Sequence, residues 1–357
     1  MKKKVVIIGG GFAGCEAAGR LQEDFHVTLI DRKEFFECTV GIPTALFEPE
    51  YFERMTIFYK ELLKNTDVVT ASVTEVTSYE VKHSEGSHSF EYLLICSGSS
   101  YDFPIKSEET HYSTRLEKLE ALEKQIRESE KILVVGGGSV GVEIAGEIVS
   151  LYPDKKLTLV HNDCRLLPRL PKKAQNYAED FFREKGVTLV LNERVTETKD
   201  NLYITDKGTS IEADIKYSCI GIEPNTDFLN LHFSDSLDEK KRIQVNEYLQ
   251  VKGYKNIFAL GDCTDVSEEK LAINAKRHAT VTVDNVYRLK EGKQLRPYRV
   301  SKLFTALVSC GKNAGIMSTP WYTMTGFIPA QSKKLEVPML MTTLTWSYPQ
   351  FMWEFYS

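Results

Sequence analysis

The chain has 357 residues, enough for two or three domains, with 42% hydrophobic and 27% charged residues and a formal charge of −5. That balance argues against a nucleic-acid partner, which would require a basic excess. The seven cysteines form no CxxC pair, which argues against a zinc site or a disulfide framework and fits a reducing, cytoplasmic compartment.

The lysines at positions 2–4 precede an apolar run that stops at Gly9 after only four residues, too short for a secretory signal. No uncharged apolar run reaches the ~18 residues of a membrane span. Val5–Ile8 instead reads as a short buried strand. It runs into Gly9-Gly10-Gly11-Phe12-Ala13-Gly14, a GxGxxG, followed by a helical stretch over Cys15–Glu23 and a second apolar strand, Val27–Ile30, closed by Asp31. This is a complete βαβ opening with a physical task for each glycine. Gly9 allows the tight turn out of the strand, Gly11 lets backbone approach a pyrophosphate, and Gly14 lets the helix pack on the sheet. The helix N-terminus, with Phe12 and Ala13, offers N–H groups and a positive dipole end to phosphates. Asp31 stands where a carboxylate binds adenosine ribose hydroxyls. An ordinary Gly-rich turn is the alternative.

Beyond it, Phe35–Gly41 holds one cysteine, Cys38, with no CxxxxC partner. A dithiol relay is therefore not expected, and Cys38 reads as a small packed residue near the cofactor. Tyr92–Ile95 is a further buried strand ending in the small-residue turn Cys96-Ser97-Gly98, which resembles the Ala-Thr-Gly turn of flavoproteins with two dinucleotide domains.

The fingerprint then returns. Lys131–Val135 is a strand, Gly136-Gly137-Gly138-Ser139-Val140-Gly141 the loop, Val142–Leu151 the helix and Leu157–Val160 the next strand, closed by His161 instead of an acid. Two fingerprints imply two dinucleotides, one resident and one exchanging, so that hydride passes from a nicotinamide to a flavin N5. His161 neither binds the NADH ribose strongly nor repels a 2′-phosphate, and Arg165 and Arg169 follow it. Tolerance of NADPH alongside NADH is one reading; solvated loop arginines are the other. Lys216–Asn225, with Gly221 and Ile222, reads as the crossing back to the first domain.

Asn256–Ala259 is an apolar strand followed by Leu260-Gly261-Asp262. In two-domain flavoproteins the Asp carboxylate binds a ribityl hydroxyl of FAD, and the Gly lets the strand end touch the cofactor; an Asx turn is the alternative. A helix predicted over Leu271–Leu289 would aim its N-terminus, with Lys270, Leu271 and Ala272, at the flavin pyrimidine edge.

The segments Val5–Phe12, Val134–Glu147, Leu157–His161 and Val245–Val266 together resemble the ferroptosis suppressor protein branch of the apoptosis-inducing-factor-like flavoproteins, relatives of type II NADH dehydrogenases. The likeness spans residues 4–317. It implies an α/β fold of two Rossmann-like domains: FAD-binding over 1–112 and 222–290, NAD(P)H-binding over 113–221, and a C-terminal domain over 291–357. It implies FAD as cofactor, NADH or NADPH as co-substrate and a quinone as acceptor. It adds Arg32, Val40 and Val73 to the flavin residues. It places Glu143 beside nicotinamide and flavin, where the alternative is a solvent-facing helix residue, and matches a functional lysine of the family to Lys333. Met1-Lys2 departs from the Met-Gly of myristoylated relatives. The aromatic C-terminus (Trp321, Tyr322, Phe327, Trp346, Tyr348, Phe351, Trp353, Phe355, Tyr356) leaves open a peripheral membrane contact, a quinone tunnel, a homodimer contact or core packing. The rival functions are a reductase of a small redox protein or radical, and a redox sensor with little turnover.

Overall fold

The computed structural model describes residues 2–101, 105–106, 108–301 and 305–345. Strand β1 (Lys4–Ile8) leads into helix α1 (Phe12–Leu21), strand β2 (His26–Asp31), strand β3 (Thr66–Thr70) and strand β4 (Tyr92–Ile95). Val5–Ile8 and Leu93–Ile95 are almost fully buried. Their continuous apolar runs are what a parallel strand covered on both faces requires. The register is unbroken, with Val5 opposite both Val27 and Tyr92.

The second unit repeats this plan. After helix α2 (Tyr112–Glu128) come β5 (Lys131–Val135), α3 (Ser139–Leu151), β6 (Lys156–His161), α4 (Lys172–Glu184), β7 (Thr188–Leu191) and β8 (Ile215–Ser218). These strands form a parallel sheet in the order β7-β6-β5-β8. Two extended segments, Ser99–Tyr101 and Ile222–Pro224, pair antiparallel where the chain leaves the first unit and returns to it. Strand β9 (Ile257–Ala259) then closes the first sheet in the order β9-β4-β1-β2-β3, and helix α5 (Ala272–Lys290) packs along α1. Tyr287 Oη donates to Asp24 Oδ2 at 2.8 Å across that helix pair. The helix predicted over Leu271–Leu289 is thus found one residue later, with Leu271 as its N-cap.

The described residues end in an antiparallel sheet of β10 (Ala306–Ser309), β11 (Gly315–Ser318) and β12 (Thr323–Gly326), followed by helix α6 (Phe327–Thr345). This helix touches both halves of the molecule. Val337 lies against Gly41, 3.2 Å from where a Cβ would stand. Thr343 Oγ1 accepts from Lys276 Nζ at 2.8 Å, and Lys276 in turn faces Glu16 of α1. No helix among the described residues is long and apolar enough to cross a membrane.

Candidate active site

The two glycine loops are built alike, and backbone approach dictates the residue type in both. Gly9 (φ +96°) and Gly136 (φ +113°) leave their strands in a conformation L side chains rarely adopt. A Cβ on either would strike a cysteine carbonyl, Cys96 in one case and Cys219 in the other. Those cysteines directly follow β4 and β8, and each stands two residues before a left-handed glycine, Gly98 and Gly221. A Cβ on Gly14 or Gly141 would strike the carbonyl oxygen of Gly9 or Gly136. By contrast, Gly11 and Gly138 have nothing within 4 Å of an added Cβ, and neither α1 nor α3 receives a side-chain cap or carries an acid in its first turn. Each loop is therefore an open cradle above an uncapped helix N-terminus, a fit to a dinucleotide pyrophosphate.

The strand ends separate the two sites. Asp31 Oδ2 accepts from Gly10 N–H at 2.5 Å and Oδ1 from Lys33 N–H at 2.7 Å, so the carboxylate is held at the rim of the first loop. Gly10 is clamped from its other side by the buried Tyr59, whose hydroxyl donates to Gly10 O at 3.0 Å. Val73 follows β3, whose next residue, Ala71, donates its N–H to Asp31 O at 2.8 Å. Arg32 is exposed beside it.

His161 packs against Gly137 in the second loop. Both ring nitrogens are shielded from solvent without a hydrogen-bond partner, and burial pulls its pKa down. A neutral imidazole with two unused polar atoms suits a nucleotide hydroxyl. The arginines after it are committed elsewhere. Arg165 Nε donates to Glu179 Oε1 at 2.7 Å and its guanidinium also meets Asn176. Arg169 pairs with Glu269 of the other half.

The Gly-Asp turn after β9 lies against the first cradle. Gly261 (φ +77°) has Ala275 of α5 and Ala13 of α1 at 3.5 and 3.9 Å from its Cβ position. Asp262 Oδ2 accepts from Ser99 Oγ at 2.8 Å and from Lys106 Nζ at 3.3 Å. Leu271 and Ala272 begin α5 just beyond, and Ser97 and Gly98 face the turn from β4's end; Asn225 Nδ2 ties the crossing to Ser97 O at 3.0 Å.

Glu143 is 6% exposed, so the solvent-facing alternative is excluded. It lies one turn into α3, and Lys333 of α6 places its ammonium 2.8 Å from Oε1. The same ammonium is 2.7 Å from Glu336 Oε2, and Ser309 N–H approaches Glu143 Oε1 at 3.4 Å. Burial raises the Glu143 pKa against the pull of Lys333. Burial would lower Lys333, but the two carboxylates outweigh it and hold the ammonium charged. The structure thus brings together the two residues that sequence reasoning singled out from distant segments. Cys38 is close enough to feel Lys333 and Glu336, but it is buried and its thiol is pushed up to about 12. All seven cysteines are free. Val40 is half-buried in the short turn beside Cys38.

Sequence reasoning missed Tyr59, Ser99, Lys106 and Glu336. Only Glu336 left a signal, at i+3 from Lys333 on one helix. Trp321 and Phe327 are 80% and 60% exposed and Tyr322 is exposed too, so core packing is excluded for them. Trp346, Tyr348, Phe351, Trp353, Phe355 and Tyr356 lie outside the described residues.

Comparison with known proteins is consistent across sequence and fold. The family described as pyridine nucleotide-disulphide oxidoreductase matches residues 3–279. Apoptosis-inducing factor homolog B of Dictyostelium discoideum is 36% identical over 345 residues, 88% of this chain and 89% of that protein. Ferroptosis suppressor protein 1 of Mus musculus is 35% identical over 331 residues, 87% of each. The fold is shared with the sulfide:quinone oxidoreductase from Aquifex aeolicus at a TM-score of 0.82 and 18% identity, covering 98% of this chain and 94% of that one.

Proposed function

The chain belongs to the pyridine nucleotide-disulphide oxidoreductase family, and on that premise we propose that it is an NAD(P)H:quinone oxidoreductase. Membership makes it an FAD-dependent oxidoreductase that takes electrons from NAD(P)H; the acceptor is the finer step. The observation that carries it is the solitary, buried Cys38 beside the Glu143–Lys333–Glu336 cluster. A buried, protonated thiol that forms no disulfide lacks the dithiol relay of a disulfide reductase, which favours an acceptor that meets the flavin itself. The Aquifex aeolicus enzyme of the same fold acts, by its name, on a quinone.

In this reading the first loop, with Asp31 and Asp262, holds FAD, and the second, with Ser139, Val140, Gly221, Ile222 and His161, holds NAD(P)H. Bound FAD supplies hydride acceptance and two-electron delivery. The protein's own contribution is alignment and a proton. The loops fix both pyrophosphates, which orients the rings without a protein base. Lys333 Nζ, kept charged between two carboxylates, is assigned the role of proton source for the reduced acceptor. Exposed Trp321, Phe327, Ile328, Leu335 and Met339 on the C-terminal sheet and α6 support a lipid surface as the acceptor's source. The test is steady-state turnover of purified, FAD-loaded protein with a short-chain ubiquinone and each nicotinamide. Turnover of many per second is expected; flavin bleaching by NAD(P)H with no quinone-dependent turnover would leave a sensor or another acceptor.

A further inference from the structure

We propose that His278 is a positioning residue for the flavin: it fixes the Gly261–Asp262 turn through a single buried hydrogen bond, and Glu268 and Tyr298 fix it in turn. The proposal rests on the turn being part of the FAD site and is independent of the acceptor.

Gly261 enters the turn with its N–H buried. That N–H donates to His278 Nδ1 at 3.0 Å. His278 is 1% exposed, two turns into α5. Because Nδ1 accepts, the ring proton sits on Nε2, which faces Glu268 Oε1 at 2.7 Å. Tyr298 Oη donates to the same carboxylate, 2.9 Å from Oε1 and 2.8 Å from Oε2, and its ring stands edge-on to the imidazole at 4.4 Å. The Tyr298 backbone is itself held by Glu247 O at 2.7 Å. The outcome is a chain of donors running one way, from Gly261 N–H through imidazole to carboxylate.

This arrangement is more than packing. A methyl-rich side chain would fill the space equally well. Only an acceptor at the Nδ1 position satisfies the Gly261 N–H; without it the Leu260–Gly261 peptide, at a left-handed glycine, keeps only the weak Cys263 Sγ donor on Leu260 O at 3.3 Å. Asp262 follows directly, so that peptide sets where its carboxylate points. Ala13 of the first cradle lies against the same glycine, so a rotated peptide disturbs the pyrophosphate loop as well. Imidazole is also held at both nitrogens, which fixes its plane.

The experiment compares FAD release from diluted holoprotein, followed by the rise of free-flavin fluorescence, for the parent and three variants. His278→Leu keeps the bulk and removes the acceptor; FAD affinity should fall at least tenfold while the far-UV circular dichroism stays unchanged. His278→Asn restores an acceptor near the Nδ1 position and should recover affinity to within about threefold of the parent. Parent-like affinity in His278→Leu overturns the proposal, and so does equal weakening in both variants, which would assign the effect to ring volume. Should His278→Leu not fold, Tyr298→Phe decides: a threefold or greater weakening supports the relay, and unchanged affinity overturns it. Asp262→Ala separates the two levels. If it leaves FAD affinity unchanged, the reading of the turn fails; if it weakens FAD while His278→Leu does not, only the role of His278 fails.

Discussion

Glu143 Oε1, buried, and Lys333 Nζ, largely covered, lie 2.8 Å apart although one belongs to the second nucleotide unit and the other to helix α6. Removing Lys333 leaves the buried Glu143 carboxylate without its counterion, at a cost of about 3–5 kcal/mol, whereas removing Glu143 still leaves Lys333 paired with Glu336 at 2.7 Å. The expected signature is functional as well. Lys333→Met should leave flavin reduction by NAD(P)H within a fewfold of the parent and slow reoxidation by quinone about 100-fold. Stopped-flow measurement of the two half-reactions tests this; equal slowing of both would place the pair in alignment instead of proton supply.

Nicotinamide preference should follow His161 and not Arg165. Arg165 is engaged by Glu179 and Asn176, so Arg165→Ala should shift the NADPH/NADH ratio of kcat/KM less than about threefold. His161→Asp places a carboxylate against the ribose edge and should lower NADPH use at least tenfold relative to NADH, by repulsion of the 2′-phosphate. A tenfold loss of NADPH use in Arg165→Ala alone would reverse the assignment.

The buried Arg115–Glu37 pair, 3.0 Å long, joins α2 to the first unit. Burial pushes the Glu37 pKa up, but Lys33 and Arg115 outweigh it and hold the carboxyl below its ordinary value. Stability from this group is complete above the ordinary carboxylate range and is lost as pH falls through the depressed value. Arg115→Met should cost about 3–5 kcal/mol near neutrality, and the gap to the parent should shrink on acidification. Urea titrations at neutral and acid pH give both numbers.

Two helical glycines should respond oppositely to alanine. A Cβ on Gly146 would strike the Cys310 backbone and lie 2.6 Å from Gly311 N, whereas one on Gly19 has only Leu63 at 3.9 Å. Gly146→Ala should lose about 1–3 kcal/mol by overpacking. Gly19→Ala should gain about 0.5–1 kcal/mol, because it restricts the unfolded chain at a compatible site. Thermal melts of the two variants side by side decide it.

Glu147, one turn beyond Glu143, has its pKa raised to about 7 by burial and by Glu48 and Glu143. Its charged form is disfavoured in the fold, so the penalty is absent below the ordinary carboxylate range, grows as pH rises from there and is complete only above about 7. Glu147→Gln should raise Tm more at pH 8 than at pH 6, and an equal gain at both would count against a titrating carboxyl.

The fold was readable because its signals are local. Three- to six-residue apolar strands, glycines at fixed offsets and a polar residue closing each βαβ unit stand within short windows around Gly9, Gly136 and Gly261. Glu143 and Lys333 were legible only through family resemblance, since nothing in either segment announces the other. Tyr59, Lys106 and His278 escaped for a related reason: each reaches its partner across a fold whose packing no short window contains. The arginines after His161 were ambiguous in sequence because the glutamates that engage them, Glu179 and Glu269, sit in other elements.

Helix α6 gathers what the glycine loops do not need. The loops close on backbone carbonyls of Cys96 and Cys219 and on their own glycines, so their shape is indifferent to the side chains at the end of the chain. Lys333, Val337 and the exposed Ile328, Leu335 and Met339 all ride on that one late helix. Descendants of such a chain could rewrite that helix and its exposed face while the backbone-built nucleotide loops are inherited intact.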